Sequence, residues 1–514
     1  MRNSLLVAVV AAVLVTVAPG VAQAAPGAPK WGACPADVTA PGLECAALDV
    51  PLDYRKPAGR QIQVAISRLK STNPAQRRGV LLTNPGGPGG PGLDLPAALA
   101  AGGLPRGVLD TYDVIGFDPR GVGHSTPVTC DLAPAQLRSN VPLYARNAAD
   151  VVADAEYVEG IARQCGASST ASMLPYVTTA NTARDMDRIR AALGEPKLSY
   201  YGISYGTYLG AVYTTLFPQR SDRIMLDSNL GPGGLDVTGS RLFAQGFEDR
   251  FPDFAAFAAA HPEYSLGATP AQVRAKYFDL AARLDAKPSP EGIDGRQFRH
   301  LTFGMFYYDA ALPYLASAWH ALDTGQPVSP PPVGAGPNPG NVLSSQLYVL
   351  CGDSDWPEPV RAYQRNVAVD RLRHPMFGAA AANVWACAFW PSDPVEPPVR
   401  IGDRGPSDVL MLENLRDPAT PLAGARRLRQ AFGDRARMVT ADQGGHGTYL
   451  FGTNQCANDA ATAFLVSGVR PAHDTACAAE PATAPTPGGG ADEPLRQLKS
   501  LRAALPHVGS SLAR

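Results

Sequence analysis

The chain has 514 residues, of which 45% are hydrophobic, and its formal net charge at neutral pH is −1. This length is enough to bury a large core, either as one elaborated domain or as two ordinary ones. A net charge this close to zero argues against nucleic acid and against an anionic membrane surface as partners.

The N-terminus has the three parts of a secretory signal peptide. Met1-Arg2-Asn3 gives a positive start, residues 5–17 are apolar, and Ala22-Gln23-Ala24 forms a small-x-small cleavage site. The apolar stretch is short for a membrane span, which argues against an anchor. We therefore predict a signal peptide over residues 1–24 and a secreted, extracellular protein that has no membrane contact after cleavage.

The chain contains eight cysteines, an even number in a protein bound for an oxidising compartment, so we expect disulfides. Many pairings are possible from the sequence. Pairing each cysteine with its nearest neighbour along the chain gives Cys34–Cys45, Cys130–Cys165, Cys351–Cys387 and Cys456–Cys477. No C-x-x-C pair and no histidine pair at zinc spacing occurs, so neither a metal site nor a cofactor is expected.

We assign residues 25–231 to the first part of an α/β core. Residues 25 to about 60 are proline-rich with short strand-like pieces, and strand-like and helix-like stretches then alternate, which predicts a mostly parallel sheet flanked by helices. Apolar residues at helical spacing predict a helix over 179–193, ended by Gly194. The predicted strands of this first part of the core lie at 80–83, 112–117, 198–203 and 223–226.

Residues 232–395 change character, because aromatic and alanine-rich helical patterns dominate there, as at 254–257 and 307–322. A proline-rich break at 327–339 interrupts them, and we interpret the whole segment as a mainly helical cap over the sheet. The alternating pattern returns over 396–478, the C-terminal part of the core. Its predicted elements are strands at 409–412 and 437–440 and a helix over 422–432. Residues 479–514 have the composition of a flexible tail.

The pentapeptide Gly202-Ile203-Ser204-Tyr205-Gly206 reads G-x-S-x-G. It joins the predicted strand at 198–203 to a helix-like stretch that begins near Thr207, which is the setting of a nucleophile elbow. A glycine-rich turn can produce the same pentapeptide by chance. The strand before it and the helix after it favour a hydrolase nucleophile at Ser204.

A serine hydroxyl needs a histidine base, and the base needs an acid that orients it. Asp417 follows a predicted strand in Asp417-Pro418-Ala419-Thr420-Pro421, and His446 lies in a Gly-Gly-His-Gly loop after the next strand. Taken singly, the aspartate also fits a helix N-cap and the histidine a solvent-exposed loop. Together with Ser204, however, they have the chain order serine, acid, histidine that this chemistry uses on an α/β scaffold.

Three other acids compete for the role of Asp417. Asp227 follows the strand after the serine and is the main rival. Asp442 and Glu413 are less favoured, because each lies near a strand-to-loop step but not at it.

An oxyanion hole requires two backbone donors, one of them from the residue after the nucleophile, Tyr205. A second can come from the glycine-rich run at 84–92, which follows the predicted strand at 80–83. This run lacks the lysine and the serine or threonine of a phosphate-binding loop, so a tight turn with an exposed N–H is the better interpretation.

Several motifs together resemble a known family. Pro85-Gly86-Gly87-Pro88-Gly89 is similar to the H-G-G-P-G run of proline iminopeptidases, with proline in place of the histidine. The segment 118–125 resembles their D-x-R-G-x-G-x-S motif, and 202–207 has the G-x-S-Y-G-T form of the secreted tripeptidyl aminopeptidase branch. The Asp-Pro-Ala-Thr-Pro segment, the Gly-Gly-His-Gly loop and the last two cysteines resemble the C-terminal region of that branch.

This resemblance implies an α/β-hydrolase fold with a helical cap and a serine peptidase that cleaves short peptides from a free N-terminus. By position in the motifs, Ser204, Asp417 and His446 take the triad roles, and Gly87 and Tyr205 the oxyanion roles. The segment 227–231, Asp-Ser-Asn-Leu-Gly, departs from the D-G-V-V-D-P that the family leads us to expect, and it leads into the predicted cap.

An aminopeptidase must hold a charged α-amine, for which a cap carboxylate is the natural partner. Glu248 and Asp353 are the first candidates, followed by Asp249 and Asp355, although each also fits a solvated surface acid. The leading hypothesis is a secreted, monomeric serine aminopeptidase acting on peptides with a free N-terminus. The alternatives are an esterase or other small-molecule hydrolase on the same scaffold, and a binding protein with a vestigial triad.

Overall fold

The computed structural model describes residues 27–38, 40–137, 141–329 and 338–480. The predicted signal peptide, nearly all of the predicted tail and most of the proline-rich break at 327–339 lie outside the described residues. Across the described ranges, no helix combines the length and apolar character needed to span a membrane.

A single nine-stranded sheet forms the centre of the fold, in the spatial order β1-β2-β4-β3-β5-β6-β7-β8-β9. The first strand pairs antiparallel with the second, and the second antiparallel with the fourth. The remaining neighbours all pair in parallel. The strands are β1 (Leu43–Pro51), β2 (Gln61–Leu69), β3 (Gly79–Asn84), β4 (Tyr112–Phe117), β5 (Leu198–Ile203), β6 (Ser221–Asp227), β7 (Val409–Arg416), β8 (Ala436–Gly444) and β9 (Thr475–Cys477).

Helices connect the strands and cover the sheet. Those of the two sheet-forming parts are α1 (Leu95–Ala101), α2 (Arg106–Thr111), α3 (Ala148–Ala167), α4 (Thr179–Ala192), α5 (Tyr205–Leu216), α14 (Leu422–Phe432) and α15 (Gln455–Ser467). Those between β6 and β7 are α6 (Val237–Arg241), α7 (Phe243–Ala260), α8 (Pro270–Ala286), α9 (Gly295–Met305), α10 (Leu312–Thr324), α11 (Pro339–Asp353), α12 (Val360–Arg373) and α13 (Gly378–Ala381).

The central strands are buried on both faces, as expected for a parallel sheet covered by helices. Side chains alternate between two cores along each strand. In β5, Leu198 and Tyr200 belong to one core, whereas Tyr201 and Ile203 belong to the other. The central strands are therefore mostly apolar instead of alternating regularly with polar residues, which made them recognisable in the sequence.

The α/β-hydrolase fold expected from the sequence is confirmed. The strands predicted at 112–117 and 198–203 have the predicted bounds, and the strands predicted at 409–412 and 437–440 are longer in the structure. One helix prediction was wrong at its start: the helix expected from 307 begins at Leu312, after a short 3₁₀ turn at Asp309–Ala311. Pro313 then occupies the first turn, where proline fits a helix.

The helices between β6 and β7 share a core of their own, built largely from aromatic side chains such as Phe247, Phe303 and Trp319. Phe247 stacks on Phe377 with ring centroids 5.1 Å apart. Residues 141–155, which lie far earlier in the chain, also contribute buried side chains to this core. The helical layer therefore includes a segment that the sequence pattern assigned to the sheet-forming part.

Disulfides join all eight cysteines in the neighbour pairs expected from the sequence. Cys34–Cys45 attaches the N-terminal segment to β1, and Cys130–Cys165 attaches the loop after β4 to α3. Cys351–Cys387 joins α11 to a turn that follows α13, and Cys456–Cys477 joins α15 to β9. Each bridge closes a short segment of chain and so reduces the entropy of the unfolded state locally.

We expect the purified protein to contain essentially no free thiol when it is denatured without reductant. Thiol titration of the same sample after reduction should recover all eight cysteines and serves as the control. Two or more free thiols before reduction would contradict the pairing.

Candidate active site

Ser204 lies at a sharp turn between β5 and α5. Its backbone angles are φ 58° and ψ −125°, a conformation that is costly for a residue with a side chain. The turn is held by hydrogen bonds, since Ser204 N–H donates to Asp227 O at 2.9 Å and Thr207 donates to Ser204 O through both N–H and Oγ1. This strained strand-to-helix geometry is that of a nucleophile elbow.

The glycine-rich run lies directly against this turn. A Cβ atom at Gly86 would sit 2.5 Å from Ile203 O and 3.0 Å from Tyr205 N, so no other residue fits there without a shift. Gly86 N–H is already bonded to Asn84 Oδ1 at 3.0 Å, and the next N–H along the run is that of Gly87. Tyr205 begins α5, so its N–H has no partner within the helix. The two predicted oxyanion donors therefore belong to segments in direct contact.

The segment 118–125 supports the end of the glycine-rich run. Asp118 Oδ1 accepts from the N–H groups of Gly92 and Leu93 at 2.8 and 3.2 Å. Arg120 is fully buried and makes a two-pronged ion pair with Asp185 at 2.7 and 2.6 Å. The motif that resembles proline iminopeptidases therefore has a structural role. Asp118 fixes the end of the glycine-rich run, and Arg120 joins the segment to α4.

Asp417 and His446 meet at the carboxyl ends of β7 and β8. His446 Nδ1 lies 2.9 Å from Asp417 Oδ2 and 3.0 Å from Oδ1, and both side chains are buried. Asp417 Oδ1 also accepts from the N–H groups of Ala419 and Thr420, both at 2.8 Å. A carboxylate held in this way fixes the ring orientation and leaves Nε2 as the nitrogen that can act as a base.

The loop around His446 is fixed by residues that the sequence did not single out. Asn414 Nδ2 donates to the carbonyls of Gly445 and Gly447 at 2.9 and 3.0 Å. Ser228 Oγ accepts from Gly447 N–H at 2.8 Å. No motif marked either residue, although Ser228 lies in the segment that departs from the family pattern.

The helical layer also contacts this loop. His446 N–H donates to Tyr307 O at 2.8 Å, and the Tyr307 ring meets the imidazole edge-on with centroids 5.0 Å apart. A cap residue therefore sets both the backbone and the ring environment of the predicted base.

Asp227, the main rival for the acid role, does not contact His446. Its two carboxylate oxygens accept from the N–H groups of Thr448 and Tyr449 at 2.8 and 2.9 Å, and Tyr201 Oη donates to it at 3.1 Å. Complete burial raises the pKa of Asp227 to about 6. These hydrogen bonds fix the backbone of Thr448 and Tyr449, just after His446.

The other two rivals are also engaged elsewhere. Glu413 is fully buried and accepts from Asn229 N–H at 2.8 Å, and burial together with the Asp417 charge holds its pKa well above the usual range. Asp442 pairs with Arg416 at 2.5 Å.

An ion-pair cluster connects α7 to the end of β7 beside Asp417. Asp253 lies 2.5 Å from Arg250 Nη1 and 2.9 Å from Arg416 Nε. Arg250 is buried and also donates to Phe306 O at 3.1 Å. Arg250 is buried while Asp253 and Arg416 are partly exposed, and their ion pairs join α7 to the residue preceding Asp417.

The predicted amine-binding acids do not lie together. Glu248 on α7 accepts from Met376 N–H at 3.2 Å. Gly246, two residues earlier on the same helix, lies against the Asp417 loop, since a Cβ atom there would sit 2.3 Å from Pro418 O. Residues two apart on a helix point to different faces, so Glu248 is turned away from the Asp417 loop. Asp353 accepts from Thr179 N–H at 2.7 Å and Thr179 Oγ1 at 2.5 Å, and burial raises its pKa to about 7.

Comparisons with known proteins agree over most of the chain. A family model described as TAP-like protein matches residues 374–477. Tripeptidyl aminopeptidase from Streptomyces coelicolor is 36% identical over 482 residues, which cover 89% of this chain and 87% of that protein. Serine protease Hip1 from Mycobacterium tuberculosis is 31% identical, covering 85% of this chain and 87% of that protein. A Mycobacterium tuberculosis protein named carboxylesterase B is also 31% identical, covering 90% and 93%.

We expect Asp417→Asn to lower kcat by roughly 10³- to 10⁴-fold, because an amide in contact with His446 Nδ1 favours the wrong ring tautomer. Asp227→Asn is the matched control. It should keep much more activity and instead lower the melting temperature, since one of the N–H groups at Thr448 and Tyr449 loses its acceptor. Steady-state kinetics and thermal melts of both variants test this ranking, and the reverse ranking would assign the acid role to Asp227.

Proposed function

The chain belongs to the tripeptidyl aminopeptidase family of α/β-hydrolases, and on that premise we propose that it is a secreted serine exopeptidase that releases tripeptides from free N-termini. As a member of this family it is a serine hydrolase. The relatives named tripeptidyl aminopeptidase and serine protease support a peptide substrate. The four disulfides support an oxidising compartment as its site of action.

One observation carries the proposed mechanism: the buried contact of 2.9 Å between His446 Nδ1 and Asp417 Oδ2. Asp227 links the strained turn at Ser204 to the chain after the histidine, since its carbonyl accepts from Ser204 N–H and its carboxylate from the N–H groups of Thr448 and Tyr449. In the proposed reaction, His446 Nε2 removes the Ser204 hydroxyl proton as Oγ attacks the scissile carbonyl carbon. Asp417 stabilises the imidazolium that forms and stays ionised throughout.

The negative charge that develops on the carbonyl oxygen needs donors that are already in place. In our proposal these are the N–H groups of Gly87 and Tyr205, which belong to the two segments in contact at Gly86. The imidazolium then returns its proton to the leaving amine nitrogen, and the C–N bond breaks to give an acyl-enzyme. Water deprotonated by His446 hydrolyses the ester and restores the Ser204 hydroxyl.

Exopeptidase action requires a group that binds the substrate's α-amine, and the distance from that group to Ser204 sets the length of the released peptide. A tripeptide product is inferred from the relatives named tripeptidyl aminopeptidase. Glu248 and Asp353 are the acids that the sequence predicts for this role. Glu248→Gln tests the first of them, and the variants of Asp353 described below test the second.

A carboxylesterase is the second candidate function. The observation that favours it is the relative named carboxylesterase B, which aligns with 90% of this chain. The same triad and oxyanion donors hydrolyse esters and amides, so the fold does not separate the two activities.

We expect Ser204→Ala to lower kcat on every substrate by about 10³-fold or more while the thermal melt stays unchanged. A fluorophosphonate probe should label the wild-type protein once and the variant not at all. Equal labelling of the two proteins would exclude Ser204 as the nucleophile.

We expect an N-acetylated tripeptide anilide to be cleaved at least about a hundredfold more slowly than the same anilide with a free amine. Acetylation removes the ammonium and leaves its carboxylate partner unpaired, at a cost of roughly 2–5 kcal/mol. A short p-nitrophenyl ester serves as the control for the acylation machinery. Equal rates on the blocked and free peptides, or ester cleavage without peptide cleavage, would favour the esterase.

A further inference from the structure

A chain of hydrogen bonds runs from Tyr205, the residue after the proposed nucleophile, to Asp353. Tyr205 Oη lies 2.5 Å from Thr179 Oγ1, and Thr179 Oγ1 lies 2.5 Å from Asp353 Oδ2. Thr179 N–H donates to the other carboxylate oxygen at 2.7 Å. Tyr205 and Thr179 are buried, and Asp353 is partly buried at the end of α11.

The threonine hydroxyl carries one proton, so it can donate to Asp353 or to Tyr205 but not to both. When Asp353 is ionised, Tyr205 O–H donates to Thr179 Oγ1, and Thr179 O–H donates to Asp353. When Asp353 carries a proton on Oδ2, that proton goes to Thr179 Oγ1 and Thr179 O–H turns to Tyr205. The tyrosine hydroxyl then loses Thr179 as its acceptor.

Tyr205 connects this chain of hydrogen bonds to the first turn of α5. Tyr205 is the first residue of α5, and its ring extends to the first residue of α4. A second tyrosine contacts the same turn, since Tyr200 Oη donates to Gly206 O at 2.8 Å. The Tyr200 hydroxyl therefore binds a carbonyl in the first turn of α5, and the Tyr205 hydroxyl ties the side chain of the first residue of that turn to Thr179.

We propose that Asp353 is a positioning residue for the hydrolase reaction: through Thr179 it fixes Tyr205 and the backbone N–H that stabilises the oxyanion. This inference rests on the proposed function of Ser204. It gives Asp353 a different role from the amine-binding one that the sequence predicts, since both carboxylate oxygens are already bonded to Thr179.

The surroundings of Asp353 make this contact sensitive to pH. Glu396 and Tyr208 line the same small cavity as Asp353, and Glu396 is paired with Arg184 at 2.5 Å. Burial, with a smaller contribution from the Glu396 charge, raises the pKa of Asp353 to about 7. The ionised order, in which Tyr205 O–H has its acceptor, therefore predominates above that pH and is lost as the pH falls through it.

The test compares Asp353→Asn with the wild-type protein on a free tripeptide anilide, its N-acetylated form and a p-nitrophenyl ester. The asparagine amide donates to Thr179 Oγ1 and so imitates the protonated acid. At pH 8 we expect kcat to fall about tenfold on all three substrates with little change in KM, since a displaced oxyanion donor costs less than a deleted one. The ratio of wild-type to variant kcat should approach one below about pH 6, where the wild-type acid is protonated.

Thr179→Val removes the linking hydroxyl and should give the same loss, with no further loss when it is combined with Asp353→Asn. Thr179→Ser keeps the hydroxyl and should retain wild-type kcat. Glu396→Gln is the matched control, because this acid lines the same cavity without contacting Thr179, and its kcat at pH 8 should be unchanged.

Two results would overturn the inference. Unchanged kcat in both Asp353→Asn and Thr179→Val would exclude any effect on Tyr205. A variant that loses only the preference for the free amine would make Asp353 the amine-binding acid. If Asp353→Asn does not fold, Thr179→Val and Tyr205→Phe decide the question by the same measurements. Failure of the proposed function is recognised separately, by absence of fluorophosphonate labelling at Ser204 in the wild-type protein.

Discussion

The arrangement of the site depends on one buried contact, that between the carboxylate of Asp417 and the imidazole of His446. A buried carboxylate is costly unless it is paired and hydrogen-bonded, so its surroundings must supply donors. The backbone N–H groups of Ala419 and Thr420 do so on one side and the imidazole on the other. His446 is on a loop, so the contact forms only if that loop is fixed. Polar side chains around the loop fix it by binding its backbone.

The loop is fixed from both the sheet and the helical layer. Asn414 on β7 and Ser228 after β6 bind its backbone from below, and the carbonyl of Tyr307 accepts His446 N–H from the cap side. The Arg250–Asp253–Arg416 cluster joins the same two layers next to Asp417. The position of the cap and the geometry of the proposed base are therefore mechanically linked. Movement of the cap for substrate entry would have to preserve or reform the Tyr307 contact before the histidine could act.

The sequence predicted those features that depend on chain-local patterns. Strands buried on both faces are continuous apolar runs, so β4 and β5 were located at their true bounds, and the glycines around Ser204 and at Gly86 follow from close backbone approach. The supports of the site were not predictable in this way. Asn414, Ser228 and Tyr307 each act through one or two hydrogen bonds between segments far apart in sequence, and such contacts leave no periodicity and no motif. The packing of residues 141–155 into the cap core is likewise a tertiary contact without a local signal.

Electrostatics explains why several acids can lie so close to the proposed triad. Carboxylates that share a buried region cannot all be ionised, so their pKa values separate. Burial and the charge of Asp417 raise the pKa of Glu413, and Asp442 is paired with Arg416 outside the core. Asp227 accepts hydrogen bonds from Thr448, Tyr449 and Tyr201, and these three donors offset part of the cost of burying its negative charge. The raised pKa favours the neutral form of Glu413, which lessens the negative charge beside the Asp417–His446 pair.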